Sequence, residues 1–201
     1  MKLFLSLFTT LLIASIVLVG CNEKNEDTRK EVLLTEAERS DFKAKGMQLA
    51  GETQKVLGSN LMKAISEGGP VNALEFCNIN AHPLTDSMAT ALKAHITRVT
   101  DQPRNPENAA NDSQLTYIAS AKQKLAAGKK VDPELSVIDG MVTGYYPIIT
   151  NQMCMQCHGS ENEQIDNNTL AKINELYPDD KATGYGVGEL RGIWVVEMDS
   201  E

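Results

Sequence analysis

The sequence predicts an α+β domain that begins with a long helical region. Helix-forming residues dominate from Thr35 to Glu67, and apolar side chains recur there mostly at three-, four- and seven-residue steps, the period of one buried helix face. Two later stretches, 135–149 and 184–198, combine β-branched residues with glycine or alternate glycine with apolar residues, which is typical of strands. The length of 201 residues supports one domain with its own core.

The first 20 residues have the pattern of an export signal. Lys2 precedes an uncharged, mostly apolar run, and the sequence Leu18-Val19-Gly20-Cys21 is typical of a bacterial lipoprotein cleavage site. The run is short for a membrane span, which needs about 20 residues. We expect a signal peptide over 1–20 and lipidation of Cys21, which would anchor the protein to a membrane. The alternative is an ordinary cleaved signal in which Cys21 occurs by chance.

The residues after the signal predict a tether and a location. Residues 22–32 are charged and nearly free of apolar groups, so we assign 21–34 to a tether and 35–201 to the folded domain. A lipoprotein with this signal faces the periplasm, and Asn22 rather than aspartate after Cys21 somewhat favours the outer membrane.

Several local signals place the helix ends in the first half of the domain. Thr35 and Glu38 have the spacing of a capping box, and the helix that follows either runs unbroken or breaks near Gly58-Ser59. Gly68-Gly69 is expected to stop it, and Pro70 suits the first turn of a new helix. We expect His82-Pro83 to end or kink that second helix.

The second half alternates strands with short helices. Residues 96–100 alternate like a strand, whereas 101–114 hold two prolines and three asparagines and are expected to form a loop. A helix closed by Gly128 is predicted next. The remaining predicted elements are one or two strands in 135–149, a short helix over 169–177 and a strand centred on 193–196.

The strongest chemical signal is the segment Cys154-Met155-Gln156-Cys157-His158. Two cysteines three apart with histidine directly after the second form the attachment pattern of c-type haem. Each thiol adds across one haem vinyl group, and a short turn starting a helix then directs the histidine at the iron. The pattern therefore predicts one covalent haem c, with Cys154 and Cys157 as attachment sites and His158 as proximal ligand.

Two other uses of paired cysteines fit less well. A closed zinc site needs four ligands, and the chain has no second cysteine pair or histidine pair to complete one. A thioredoxin-like pair belongs near the front of a βαβ unit, whereas this pair lies 43 residues from the end.

The residue opposite His158 on the iron decides between carrier and ligand-binding functions, because an open sixth position accepts external ligands. Cys77, His82, His95 and several methionines are available. Cys77 has no sulfur partner once the other three cysteines are assigned, but cysteine is also among the most buried residue types. The two histidines lie beside helix ends, where solvated or capping roles are common, so the pattern alone leaves the ligand open.

The chain resembles a known family through four groups of residues. They are Ala73-Leu74-Glu75-Phe76-Cys77-Asn78; Arg98-Val99-Thr100 leading into Pro103-Arg104-Asn105-Pro106-Glu107-Asn108; Pro147-Ile148 before the haem motif; and Gly188-Glu189-Leu190-Arg191-Gly192 before an apolar strand. Over about residues 40–198 it resembles the exported single-haem c-type family with a PAS-like fold, the Tll-type haem proteins, long catalogued as a domain of unknown function.

The resemblance implies an antiparallel sheet flanked by helices around the haem. It also implies that Cys77 is the distal ligand opposite His158, although His82 stands where another residue is more usual, which leaves ligand exchange with His82 open. Arg98 and Arg104 match the family's arginines, and each guanidinium suits either a haem propionate or an ion pair that fixes the loop.

We therefore predict a lipid-anchored periplasmic monohaem protein for redox sensing or electron transfer. It is expected to act with a redox partner or a separate sensor protein. The alternatives are a gas-binding or peroxide-reacting haem with an open or labile sixth site, or a helical bundle of the cytochrome c′ type. No paired carboxylates or Ser/His/Asp arrangement indicates an enzyme, and the net charge of −8 argues against nucleic acid as a partner.

Overall fold

The computed structural model describes residues 34–138, 140–161 and 163–200. The predicted signal peptide (1–20), the lipidation site Cys21 and all of the predicted tether except Leu34 lie outside the described residues. None of the helices that the structure describes is both long and apolar enough to cross a membrane.

The first helical element, α1 (Glu36–Leu92), begins at the predicted capping box. The Thr35 side chain accepts from the Glu38 backbone N–H, and the Glu38 carboxylate accepts from the Thr35 N–H at 2.8 Å. Gly58 lies inside continuous helix, so the alternative of a break there is wrong. The break occurs at Gly68 and Gly69, where the glycine pair predicted it. Gly69 takes a φ of +72° that only glycine adopts readily.

The second part of α1 continues through Pro83 to Leu92, so of the two alternatives predicted for His82-Pro83, an end or a kink, the end is wrong. A proline inside a helix costs about 3 kcal/mol, and tertiary packing offsets it here. Thr85 is buried and donates its hydroxyl to the Ala81 carbonyl at 2.9 Å, while Leu92 packs against the sheet. Burial of the helix face after Pro83 therefore outweighs the tendency of proline to end a helix.

The strands form one antiparallel sheet in the order β1-β4-β3-β2. This sheet confirms the predicted α+β class and its flanking helices, and it rules out the bundle of the cytochrome c′ type. The strands are β1 (His95–Val99), β2 (Glu134–Ile138), β3 (Met141–Ile149) and β4 (Leu190–Asp199). The further helices are α2 (Asp112–Ala126), α3 (Met155–His158) and α4 (Asn167–Leu176), with 3-10 turns at Pro106–Asn108 and Gln152–Cys154.

Strand β4 divides the core into two layers. Trp194 and Val196 pack among residues that include Leu49 of α1, while Ile193 and Val195 pack among residues that include Ile118 of α2. Successive side chains of a strand point to opposite faces, so burial on both faces explains the apolar run that predicted this strand. A third cluster joins α1 to α4 beside the haem motif, and it includes partly buried Cys157.

Gly46→Ala is expected to lower the free energy of unfolding by about 1–3 kcal/mol, because an added methyl would overlap the buried Tyr146 ring. The Tyr146 hydroxyl donates to the Phe42 carbonyl at 3.3 Å, so the ring has a fixed position. Urea unfolding measures the change. Gly51→Ala on the same helix is the control, because its added methyl meets no atom within 4 Å and should stabilise by about 0.5–1 kcal/mol. Equal effects of the two variants would contradict the packing argument.

Candidate functional site

The haem motif forms a tight turn directly after β3. Asn151 starts it, since its side-chain oxygen accepts from the Met153 N–H at 2.9 Å, and the 3-10 turn ending at Cys154 leads straight into α3. Met155 is 2% exposed and anchors the turn in the core. Neither motif cysteine forms a disulfide with another described residue. The predicted turn that starts a short helix is therefore present.

All seven residues predicted to contact the haem or its iron line one cavity of about 280 Å³, although the chain separates them by up to 81 positions. They are Cys77, His82, Arg98, Arg104, Cys154, Cys157 and His158. Apolar side chains form much of the remaining wall, among them Leu61, Ile65, Leu74, Ile148 and Ile149. His95 lies apart from the cavity, beside Glu197 at 3.1 Å.

One ring nitrogen of His158, Nδ1, is engaged in a hydrogen bond. Nδ1 lies 2.7 Å from the Ala182 carbonyl oxygen, which can only accept, so Nδ1 carries the proton and Nε2 keeps its lone pair. Burial holds the pKa of His158 well below its ordinary value, and the positive charges of Arg191 and Arg104 add to this effect. A neutral ring with its second nitrogen anchored is the form in which histidine binds metals.

The segment 180–185 is the second layer behind His158. The Tyr185 N–H donates to the His158 carbonyl and the Gly184 N–H to the Gly159 carbonyl, each at 2.8 Å. Together with the Ala182 carbonyl these contacts hold the end of the motif from its backbone and from its ring. The orientation of His158 is thus set by main-chain groups.

Arg104 fixes the same region through a buried ion pair. Its Nε and Nη2 donate to the two Asp180 carboxylate oxygens at 3.2 and 2.9 Å, and Nη2 also donates to the Cys157 carbonyl at 2.6 Å. The two side chains are 10% and 7% exposed. Asp180 also accepts from the Ala182 N–H at 2.9 Å. Of the two predicted uses of Arg104, the structure displays the ion pair that fixes the loop.

One face of α1 supplies the cavity with Leu74, Cys77, Asn78, Ala81 and His82, at the spacing of neighbours on a helix surface. Burial raises the pKa of the Cys77 thiol, although the charges of Arg98 and Arg104 oppose the shift. The two predicted distal ligands thus lie five residues apart on the part of α1 that lines the cavity.

His82 already has polar neighbours at the rim. Its Nε2 lies 3.2 Å from Nδ2 of Asn105 and 3.8 Å from a carboxylate oxygen of Glu107, and its side chain is 40% exposed. The nitrogen that would bind a metal is therefore engaged by Asn105, whereas Cys77 makes no side-chain hydrogen bond within the described part of the chain.

Sequence reasoning missed the role of Arg191. This residue lines the cavity, and its Nη1 donates to the Thr100 hydroxyl and the Gln102 carbonyl, each at 3.2 Å. Its position inside the Gly188–Gly192 motif, directly before an apolar strand, was the signal that could have drawn attention to it. Burial lowers the pKa of Arg191 to about 10.

The cavity is basic although the protein is acidic. Three arginines line it, while no aspartate or glutamate does so among residues 34–200 as the structure describes them. The whole chain has a net charge of −8, so this is a local excess of positive charge. In that same part of the chain no group of three or more His, Cys, Asp or Glu side chains is placed to hold a metal ion alone.

Comparison with known proteins identifies one family and one solved structure. Residues 22–198 match the model of the family described as Tll0287-like. The structure described as "Crystal structure of the cyanobacterial heme-protein Tll0287" superposes with a TM-score of 0.54 at 19% identity, covering 84% of this chain and 98% of that chain. No curated protein shows significant similarity to the chain.

Proposed function

Because the chain belongs to the Tll0287-like family, we propose that it is a haem protein with one haem bonded covalently to Cys154 and Cys157. The observation that carries this proposal is the single cavity, which brings together both thiols, a neutral His158 with a free Nε2, and unpaired arginine donors. The cyanobacterial protein of similar fold is described as a haem protein, which agrees with it.

The residues of the cavity have separate tasks in this proposal. Each motif thiol adds its sulfur and its proton across a vinyl double bond of the haem, which forms a thioether without any change in electron count. His158 supplies the proximal nitrogen. The apolar wall from Leu61, Ile65 and Leu74 excludes water from the ring. Bound haem would supply a one-electron redox couple at the iron.

Cys77 is the proposed distal ligand, with His82 as the alternative. Cys77 lines the cavity from α1, whereas His158 is the last residue of α3, so two different elements would supply the two iron ligands. The bond between Asn105 and His82 Nε2 would have to break before His82 could replace Cys77. A thiolate donates electron density to the iron and lowers its reduction potential, which suits a redox sensor or an electron carrier.

The predicted N-terminal signal adds a cellular location to this proposal. A signal peptide over 1–20, lipidated Cys21 and a charged tether would hold the haem domain at a periplasmic membrane surface, with the outer membrane favoured. Haem c is attached in the same compartment, so the two sequence signals agree. The domain would then pass electrons or a redox signal to a separate protein.

Cys77→Ala is expected to change the absorption spectrum of the oxidised protein, because the iron would lose a sulfur ligand and its charge-transfer bands. His82→Ala is the matched control on the same helix and should leave the oxidised spectrum unchanged. An unchanged spectrum in Cys77→Ala would refute thiolate ligation, and a change confined to His82→Ala would assign the position to His82.

A gas-binding or peroxide-reacting haem is the second proposal, and a second cavity favours it. This cavity, also of about 280 Å³, borders the first and shares His82, Arg98 and Asn108 with it. The region near His82 therefore has unfilled volume that a small molecule could use. Rapid binding of carbon monoxide to the reduced protein at low concentration would support this function, and resistance to carbon monoxide would count against it.

A further inference from the structure

Arg191 has a buried donor that the protein leaves unpaired. Its Nη1 is satisfied by Thr100 and Gln102, but Nε is buried with no hydrogen-bond partner among the described residues. The guanidinium also lies 5.4 Å from the centre of the Tyr185 ring. A buried N–H without a partner is costly, so native proteins nearly always pair such groups. Arg191 also lines the cavity, so the protein leaves a cavity arginine without a full set of hydrogen-bond acceptors.

Arg98 is the second cavity arginine without a counter-charge. Its guanidinium lies 5.8 Å from the centre of the Trp194 ring, and no carboxylate within the described residues forms an ion pair with it. The β1–β4 register sets Arg98 opposite Trp194, so Arg191 lies three residues earlier on the neighbouring strand. Two adjacent strands thus each present one unpaired guanidinium to the same cavity.

Arg104 differs from both because its charge is already neutralised. It makes two hydrogen bonds to the carboxylate of Asp180 and one to the Cys157 carbonyl. The cavity is therefore left with two unpaired positive charges, and a haem carries two propionate carboxylates. A guanidinium matches a carboxylate in both charge and donor geometry.

We propose that Arg98 and Arg191 bind the two propionates of the haem, while Arg104 positions the haem motif instead of contacting a propionate. This inference rests on the proposed function, since it needs haem in the cavity. The sequence offered Arg98 and Arg104 as candidate propionate contacts, and this inference assigns Arg191 in place of Arg104. Each arginine then has the negatively charged acceptor that the protein itself does not provide. The two propionates would also neutralise the positive charge of the cavity.

The test uses the haem-loaded protein and two charge-removing variants, Arg191→Gln and Arg98→Gln. Loss of either guanidinium should shift the propionate bending bands in the resonance Raman spectrum. It should also raise the pKa of the released propionate, so that the midpoint potential falls as the pH rises through that pKa. The wild-type potential should depend less on pH, because the arginines keep both propionates ionised.

Lys122→Gln is the matched control. It removes the same charge from the same surroundings, since Lys122 lies 5.9 Å from the Tyr185 ring, but it pairs with Asp101 and does not line the cavity. The control should leave the Raman bands unshifted. Arg191→Lys keeps the charge without the planar donor pair and should give an intermediate shift.

Unshifted Raman bands and wild-type pH dependence in both glutamine variants would overturn the inference, provided that haem stays covalently bound with His158 as ligand. That result would leave the proposed function intact. Absence of covalent haem from the wild-type protein would overturn both proposals. If Arg191→Gln does not fold, Arg191→Lys and Arg98→Gln decide between the same outcomes.

Discussion

Replacing both motif cysteines, Cys154→Ala with Cys157→Ala, is expected to abolish covalent attachment of haem completely. The two thiols are the only proposed points at which the chain bonds to the porphyrin, and both line the cavity without forming a disulfide to a described residue. The measurement is the mass of the intact denatured protein, together with haem-dependent peroxidase staining after denaturing electrophoresis. Both signals should fall from full to background.

Cys77→Ala is the control for this experiment. It removes a cysteine from the same cavity but leaves the attachment pair intact, so the haem mass should be retained under denaturing conditions. Each single motif variant should retain one thioether and give a lower yield of haem protein. Haem that survives denaturation in the double variant would refute the assigned attachment sites.

Asp180→Ala is expected to lower the free energy of unfolding by about 3–5 kcal/mol, because it leaves the Arg104 guanidinium buried without a counter-charge. The same change removes the acceptor for the Ala182 N–H, in the segment that holds His158 Nδ1. We therefore expect a second effect, a broadened or shifted absorption spectrum in the haem-loaded protein. Urea unfolding and absorption spectroscopy measure the two effects.

Glu67→Ala is the matched control, since it removes a carboxylate from an ion pair that is exposed to solvent. The Lys63 nitrogen lies 3.9 Å from Glu67, and both side chains are more than half exposed. Such pairs contribute about 0–1 kcal/mol, so the control should unfold almost like the wild type and leave the haem spectrum unchanged.

Asp180→Asn separates charge from hydrogen bonding. It keeps an oxygen that can accept from the Ala182 N–H but loses the charge opposite Arg104. An intermediate loss of stability is expected, with a smaller spectral change than in Asp180→Ala. A loss for Asp180→Ala no greater than that for Glu67→Ala would show that the buried pair does not hold the motif.

Local sequence patterns predicted the helix start, the glycine break and the strands. The capping box at Thr35 and Glu38 depends on residues three apart, and the break at Gly69 depends on one residue's own dihedral preference. The helix end that was one alternative at Pro83 rested on a rule of the same local kind, and the helix does not end there. The proline rule is local, whereas the helix there is held by packing of Thr85 and Leu92.

The sequence also identified which chemistry to look for in the cavity. The haem motif is recognisable from five consecutive residues. Cys77 and His82 were candidate iron ligands by residue type, and Arg98 and Arg104 came from the family resemblance. The structure brings all of these positions to one cavity. Their roles toward haem remain predictions, for which the experiments above provide the measurements.

By itself, the sequence determined the α+β class and the haem motif, because both depend on spacing along the chain. Only the tertiary structure decided that Arg104 pairs with Asp180, that Arg191 lines the cavity and that the buried Nε of Arg191 has no partner among the described residues. Arg104 and Asp180 are 76 positions apart in the chain, and Arg191 is 91 positions from its partner Thr100. Such pairings depend on how the sheet and loops meet in space, and no local pattern of charges or spacing specifies them.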